Sequence, residues 1–391
     1  MPGGAEGPAR AARRVRELPA YMFAELDRKI AAQRDAGVDV ISLGVGDPDH
    51  PTPRHVVEAL QEAAEDPATH QYPSYWGLPA LRKAIAQWYG TRFGVALDPE
   101  TEVLPLIGSK EGLAHLAWAF VDPGDEALVP DPGYPVYASA VSLAGGTPVS
   151  LPLEPDRDFL PDLSRAPVSP STRMLWLNYP SNPTAAVAEL DVFEDAVALA
   201  RRYGLLLVHD AAYSEMTYDG FVAPSVLQVE GAREVAVEVG SPSKTYNMTG
   251  WRVGWAVGNA DAIGALASLK TNLDSGVFNA IQRATAAALA GPQDTVEEIR
   301  AVYAKRRDLV VETLNSLGWN LEPPRGSLYV WFTTGERSSE ELCELLLERA
   351  GVVVSPGPGY GARGEGYARI SLTVPDDRLG EAMARVREAL A

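Results

Sequence analysis

The sequence predicts an α/β protein, with a large domain on a mostly parallel sheet and a smaller α+β domain after it. Three observations predict this. Short apolar runs that read as buried strands alternate with helical stretches over the first two thirds of the chain. After Asp261 that rhythm stops, and two helical stretches lead into a long charged one. A length of 391 residues exceeds what one simple core serves, so a large and a small domain are expected.

In chain order, residues 1–16 are rich in Ala, Gly and Arg without an apolar block, and read as a disordered tail rather than a signal peptide. Tyr21–Gly37 reads as a helix and Val40–Leu43 as a short strand. Residues 17–45 are therefore an N-terminal segment, expected to pack on the small domain. The large domain spans 46–290. Helical periodicity marks His55–Glu65, Leu78–Phe93 and Val192–Tyr203. Strands are expected at Val103–Ile107, Ala127–Pro130, Thr147–Leu151, Met174–Leu177, Leu205–His209, Glu234–Val239 and Val253–Val257. Helices over Ala262–Asp274 and Phe278–Ala290 close this domain. The small domain, 291–391, opens on the long helix Asp294–Leu317. It continues as strand Ser327–Phe332, helix Ser338–Ala350, strand Ala368–Leu372 and helix Asp376–Leu390.

Composition narrows the function classes. A net charge of −18 repels phosphate backbones and anionic lipid, which disfavours nucleic-acid and membrane partners. No window is apolar for long enough to span a bilayer. The single cysteine, Cys343, lies on an amphipathic helical pattern and reads as a core position. One cysteine allows no intrachain disulfide and no cysteine zinc site, which fits a reducing cytoplasm. Five scattered histidines give no metal-ligand spacing, so no metal is expected.

The chemistry lies after the strands, where open α/β sheets bind their ligands. Gly108-Ser109-Lys110 follows the first large-domain strand at a helix start. Asn182-Pro-Thr follows Met174–Leu177 after a short turn. Asp210 ends Leu205–His209, with Tyr213 just beyond. Ser241-Pro-Ser243-Lys244 follows Glu234–Val239, and Arg252 opens Val253–Val257. Singly, each has a bland reading as a cap, a turn or a surface charge. Together they meet one demand: a phosphate, a protonated ring nitrogen and an amine nucleophile, the needs of pyridoxal phosphate. Backbone N–H groups at the Gly108 helix start, with Ser109, Ser241, Ser243 and Arg252, suit the phosphate. Asp210 holds the pyridine nitrogen protonated. Tyr213 and Asn182 donate to the ring oxygen, and Tyr134 stacks on the ring. Lys244 attaches the cofactor and, once released, carries the proton.

The chain resembles the fold-type-I, class I aminotransferases of the aspartate aminotransferase superfamily. Ser-x-Ser-Lys244 with Arg252 eight residues on, Asn182-Pro-Thr184, Asp210-x-x-Tyr213 and Arg369-Ile-Ser-Leu match in type, order and approximate spacing. The resemblance runs from about Leu18 to the C-terminus. It implies that Arg369 pairs with the substrate α-carboxylate, and that Gly46 lets the backbone approach it. It also implies that Tyr72 reaches the phosphate of a neighbouring subunit's cofactor, in a homodimer with shared active sites.

Within that superfamily the stretches Leu18–Asp27, His70-Gln-Tyr-Pro-Ser-Tyr75 and Lys244–Arg252 resemble the LL-diaminopimelate aminotransferase-like group. By that resemblance Tyr21, Lys110 and Asn279 bind the distal part of a substrate. The reaction so implied moves an amino group between an amino acid (LL-diaminopimelate, glutamate or aspartate-like) and a 2-oxo acid. The same electron sink also serves a lyase, synthase or cyclase acting on a substrate with a leaving group, such as S-adenosylmethionine or a modified arginine. Ser181, Ala185, Trp255 and Pro358 depart from the family's usual residues outside the chemical core, and several of them are expected to reshape the substrate pocket.

Overall fold

The structure is a computed structural model and describes residues 11–18 and 22–391. Tyr21 and the first ten residues lie outside the described residues. Arg13–Arg16 form one helical turn within the stretch read as a tail.

A seven-stranded sheet organises the larger part of the chain. After a short β1 (Ile41–Ser42), its strands are β2 (Val103–Leu106), β3 (Glu126–Asp131), β4 (Thr147–Pro152), β5 (Thr172–Asn178), β6 (Leu206–Asp210), β7 (Ala236–Gly240) and β8 (Gly254–Gly258). Their spatial order is β2-β8-β7-β6-β5-β3-β4. Strands β4, β3, β5, β6 and β7 pair in parallel, while β8 runs antiparallel to both β7 and β2. The expected strand from Glu234 begins two residues later. Ala232–Val235 forms a helical turn first, capped by Gly231 at φ 79°.

Strand periodicity of two explains why the runs are apolar throughout. Leu175, Leu177 and Leu207 point to one face, against Leu81, Ile85, Tyr89 and Phe193 from flanking helices. Met174, Trp176 and Val208 point to the other, against Leu113, Leu116 and Tyr137. Both faces are covered, so polar alternation has no place in these strands.

The later chain builds a second core. Helix Asp294–Ser316 crosses to an antiparallel sheet of β9 (Tyr329–Thr333), β11 (Ser355–Pro356) and β12 (Tyr367–Ser371), covered by helices Ser339–Ala350 and Asp376–Leu390. The helix at Ser339 starts on a reciprocal cap. The Ser338 hydroxyl accepts from Glu341 N–H at 3.2 Å, and the Glu341 carboxylate accepts from Ser338 N–H at 2.8 Å. Cys343 packs partly buried against this core. The N-terminal segment joins it: β1 pairs in parallel with β10 (Val352–Val353), and Leu43 accepts from Ser371 N–H at 2.8 Å.

Candidate active site

Sheet direction gathers the chemistry at one edge. The carboxyl ends of β2, β5, β6 and β7 deliver Gly108, Asn178, Asp210 and Ser241 there. Because β8 is antiparallel, its starting end lies at the same edge and brings Arg252 with it. A cavity of about 430 Å³ opens there, lined on one side by Ser109, Lys110, Tyr134 and Asp210, and on the other by Gly46, Lys244 and Arg369.

Gly108 caps helix Ser109–Phe120 at φ 85°, a conformation that side chains disfavour. A side chain on it would also collide with the Arg252 guanidinium. The helix N-terminus and a guanidinium thus meet with nothing bulky between them. Arg252 is held by its bond to Thr249 O at 2.7 Å. Ser241 and Ser243 are buried beside it, with Ser243 N–H donating to the Ser241 hydroxyl at 3.1 Å.

Asp210 is buried, and desolvation raises its pKa. The Tyr137 hydroxyl at 2.7 Å and Ala212 N–H at 3.2 Å oppose that by donating to its carboxylate. Tyr137 is itself stacked on Trp176, with ring centroids 5.2 Å apart. Asn178 braces the floor: its amide donates to Asp210 O at 2.8 Å and its carbonyl accepts from Asn182 N–H at 2.8 Å.

Lys244 donates to Gly46 O at 2.6 Å, and burial lowers its pKa. Arg369 is almost fully buried. It donates to Asn182 Oδ1 and to Gly44 O, both at 2.6 Å, and its Nε has no hydrogen-bond partner. Tyr329 and Tyr360 hold the guanidinium between them, 3.9 and 4.8 Å from their ring centroids. A buried cation satisfied by neutral oxygens alone, with one donor unused, is matched to an anionic ligand.

Of the residues singled out from sequence, Gly46, Ser109, Lys110, Tyr134, Asn182, Asp210, Tyr213, Lys244 and Arg369 line the cavity. Ser241, Ser243 and Arg252 are not among its lining residues. Tyr72 is outside the lining too, and is 88% exposed. Asn279 is buried, and its amide donates to Gln71 O at 3.3 Å, next to Tyr72. Three lining residues with polar side chains escaped the sequence reading: Tyr137, Asn178 and Tyr329. Asn178 ends β5 and was legible by the strand-end rule, whereas the two tyrosines look like packing residues until the fold turns their hydroxyls inward. None of the four departures lines this cavity directly. Ser181, Ala185 and Trp255 are buried away from the cavity lining, and Pro358 lines a neighbouring one. Ala185 sits at φ 58°, which explains why glycine is usual there. Among the described residues Glu111, His115 and Asp274 gather at ligand distance, but the Lys270 ammonium sits 2.8 Å from both carboxylates and supplies the cation.

Residues 38–386 match the family model of class I and II aminotransferases, and the chain belongs to that family. It is a pyridoxal-phosphate-dependent aminotransferase, and the donor set fits the cofactor: a phosphate cradle at Gly108, a buried carboxylate and a buried amine. The LL-diaminopimelate aminotransferase of Desulforudis audaxviator is 56% identical over 97% of both chains. That of Moorella thermoacetica is 54% identical over 97% of this chain and 98% of its own. Among solved structures, a probable N-succinyldiaminopimelate aminotransferase from Thermus thermophilus is 40% identical, covering 94% of this chain and 100% of the other, with a TM-score of 0.89. The aspartate aminotransferase of the same organism with maleate is 33% identical at TM-score 0.91, covering 98% and 100%.

Proposed function

We propose that this aminotransferase takes its amino group from LL-diaminopimelate and passes it to 2-oxoglutarate. The observation that carries the reading is the convergence of Lys244, Asp210 and an anion-seeking Arg369 on one cavity. The diaminopimelate relatives, at 54–56% identity over nearly full length, supply the substrate class.

Pyridoxal phosphate, when bound, supplies a carbonyl for the Lys244 amine and an electron sink for the pair released at the substrate α-carbon. The residues divide the remaining work. The Gly108 helix start, Ser109, Ser241, Ser243 and Arg252 hold the phosphate. Asp210, whose carboxylate accepts from Tyr137 and Ala212, would hold a proton on the ring nitrogen. Tyr213 and Asn182 donate to the ring oxygen, and Tyr134 covers the ring face. Arg369 binds the α-carboxylate beside Gly46, which places the α-proton within reach of Lys244. Burial keeps that amine neutral at lower pH than a free lysine, so it can accept the proton. Lys110 at the cavity wall, with Asn279 and Tyr21, receives the substrate's distal end.

The assembly in this reading is a cytoplasmic homodimer, with Tyr72 completing the partner's phosphate site. Residues 46–290 act as the cofactor domain, and 291–391 with segment 17–45 as the small domain. The test is glutamate formation from 2-oxoglutarate with LL-diaminopimelate, meso-diaminopimelate, aspartate or an aromatic amino acid as donor. The reading expects the LL isomer to give the highest kcat/KM; release of an eliminated fragment instead of glutamate would sink it.

A further inference from the structure

We propose that Tyr329 is a positioning residue that ties the cofactor end of the site to its carboxylate end: its hydroxyl donates to Tyr213, and its ring carries the Arg369 guanidinium. The inference rests on the reading above, in which Tyr213 serves the cofactor's ring oxygen and Arg369 the substrate carboxylate.

Tyr329 begins β9, on the small-domain core, yet its side chain reaches the cavity wall. Its hydroxyl lies 2.8 Å from that of Tyr213, and both side chains are buried. A tyrosine hydroxyl has one proton to give. If Tyr213 gives its proton to the ring oxygen, the bond between the two tyrosines has one polarity: Tyr329 donates and Tyr213 accepts. A donor that also accepts is polarised into a stronger donor. Tyr213 would then draw more charge off the cofactor's ring oxygen, which would lower the pH at which the Lys244-bound cofactor titrates.

The ring of the same residue lies 3.9 Å from the Arg369 guanidinium carbon, the closer of the two aromatic faces on that cation. Arg369 in turn bonds Asn182, the other residue assigned to the ring oxygen. Gly46 shares the arrangement, because any side chain there would strike the Tyr329 hydroxyl. The two functions of Tyr329 reside in different atoms, so they separate by substitution.

Tyr329→Phe removes the hydroxyl and keeps the ring. Tyr329→Leu removes both, and Tyr329→Met serves the same arm if the leucine protein is insoluble. Two quantities are read on cofactor-loaded protein. One is the pH midpoint of the absorbance change of the Lys244-bound cofactor. The other is the dissociation constant of succinate, a carboxylate that cannot react, from its perturbation of that absorbance. Tyr329→Phe is expected to move the midpoint to higher pH by about one unit, with succinate affinity close to wild type. Ring removal is expected to weaken succinate about tenfold beyond the phenylalanine variant. A phenylalanine variant whose midpoint coincides with wild type overturns the proposal, as does a ring-removed variant that binds succinate as tightly as the phenylalanine one. The midpoint needs no turnover, so a wild-type protein that forms no glutamate from any donor counts against the reading of function alone.

Discussion

At the scale of single residues, the site's strongest commitments are two basic side chains with different proposed tasks, the part-buried Lys244 and the buried Arg369. In the proposed function Lys244 is the nucleophile, and that chemistry needs the neutral amine. Burial lowers its pKa from the ordinary 10.5, which disfavours the protonated form and moves the onset of reactivity to lower pH. Capture of added pyridoxal phosphate by the apoenzyme should therefore speed up with pH and level off well before a free lysine would. Stopped-flow absorbance measures this directly; a rate still climbing at the titration of free lysine would contradict it. Arg369 has the opposite requirement, a permanent charge in a planar fork. Its Nη atoms are already oriented by Asn182 and Gly44, so lysine cannot reproduce the geometry. Arg369→Lys is expected to raise the KM for the amino donor roughly 100-fold, corresponding to about 3 kcal/mol for a buried charge-assisted pair. Steady-state kinetics with saturating 2-oxo acid test it, and a KM within about threefold of wild type would remove Arg369 from the carboxylate role.

At the scale of elements, the Gly108 helix start is the clearest case of backbone making a site. Its positive φ disfavours a side chain, and any side chain there would displace the Arg252 guanidinium. Gly108→Ala should weaken pyridoxal phosphate far more than pyridoxal, since only the first engages that helix end; equilibrium dialysis of both would show it. Ahead of β1, Asp39 is held down to about 2 by hydrogen bonds from Arg378 and Arg385 of the last helix. A depressed carboxylate stabilises the fold above its unfolded pKa and loses that contribution as pH falls through the folded one. Asp39→Asn should thus lower Tm at neutral pH, with the gap from wild type closing as pH falls from about 4 towards 2. The elements were largely legible because both faces of the main sheet are covered, so each parallel strand announces itself as an unbroken apolar run. The site residues that end or directly follow those strands, Asp210 and Ser241 among them, were legible for the same reason. Tyr137 and Tyr329 were not. Nothing in a tyrosine's local sequence tells whether its hydroxyl meets water, a backbone carbonyl or Asp210. The helical turn at Ala232 was hidden by a run of residues suited to either state.

At the scale of the whole molecule, the described surface carries an apolar region that the single chain leaves open. Tyr72, Tyr75 and Trp76 are exposed on one loop, and Leu273 and Phe278 on another. The loops meet where Gly276 lies against Pro73 and Ser74. Exposed aromatic and aliphatic groups gathered on adjoining loops mark an association surface. Asn279 and Gln71 join the same two segments by hydrogen bond, so Tyr72 is carried on a braced loop. The two-fold symmetry of the proposed homodimer makes this a complementation test. If each site takes Lys244 from one subunit and Tyr72 from the other, a Lys244→Ala subunit paired with a Tyr72→Ala subunit holds one doubly defective site and one intact site. Equal amounts of the two proteins, unfolded together and refolded, make half of their dimers mixed. Activity should then recover to about a quarter of wild type, since half the dimers hold one working site of two. If each subunit used its own Tyr72, every site would lack one residue or the other, and the mixture would show no more than the mean of the two parent variants.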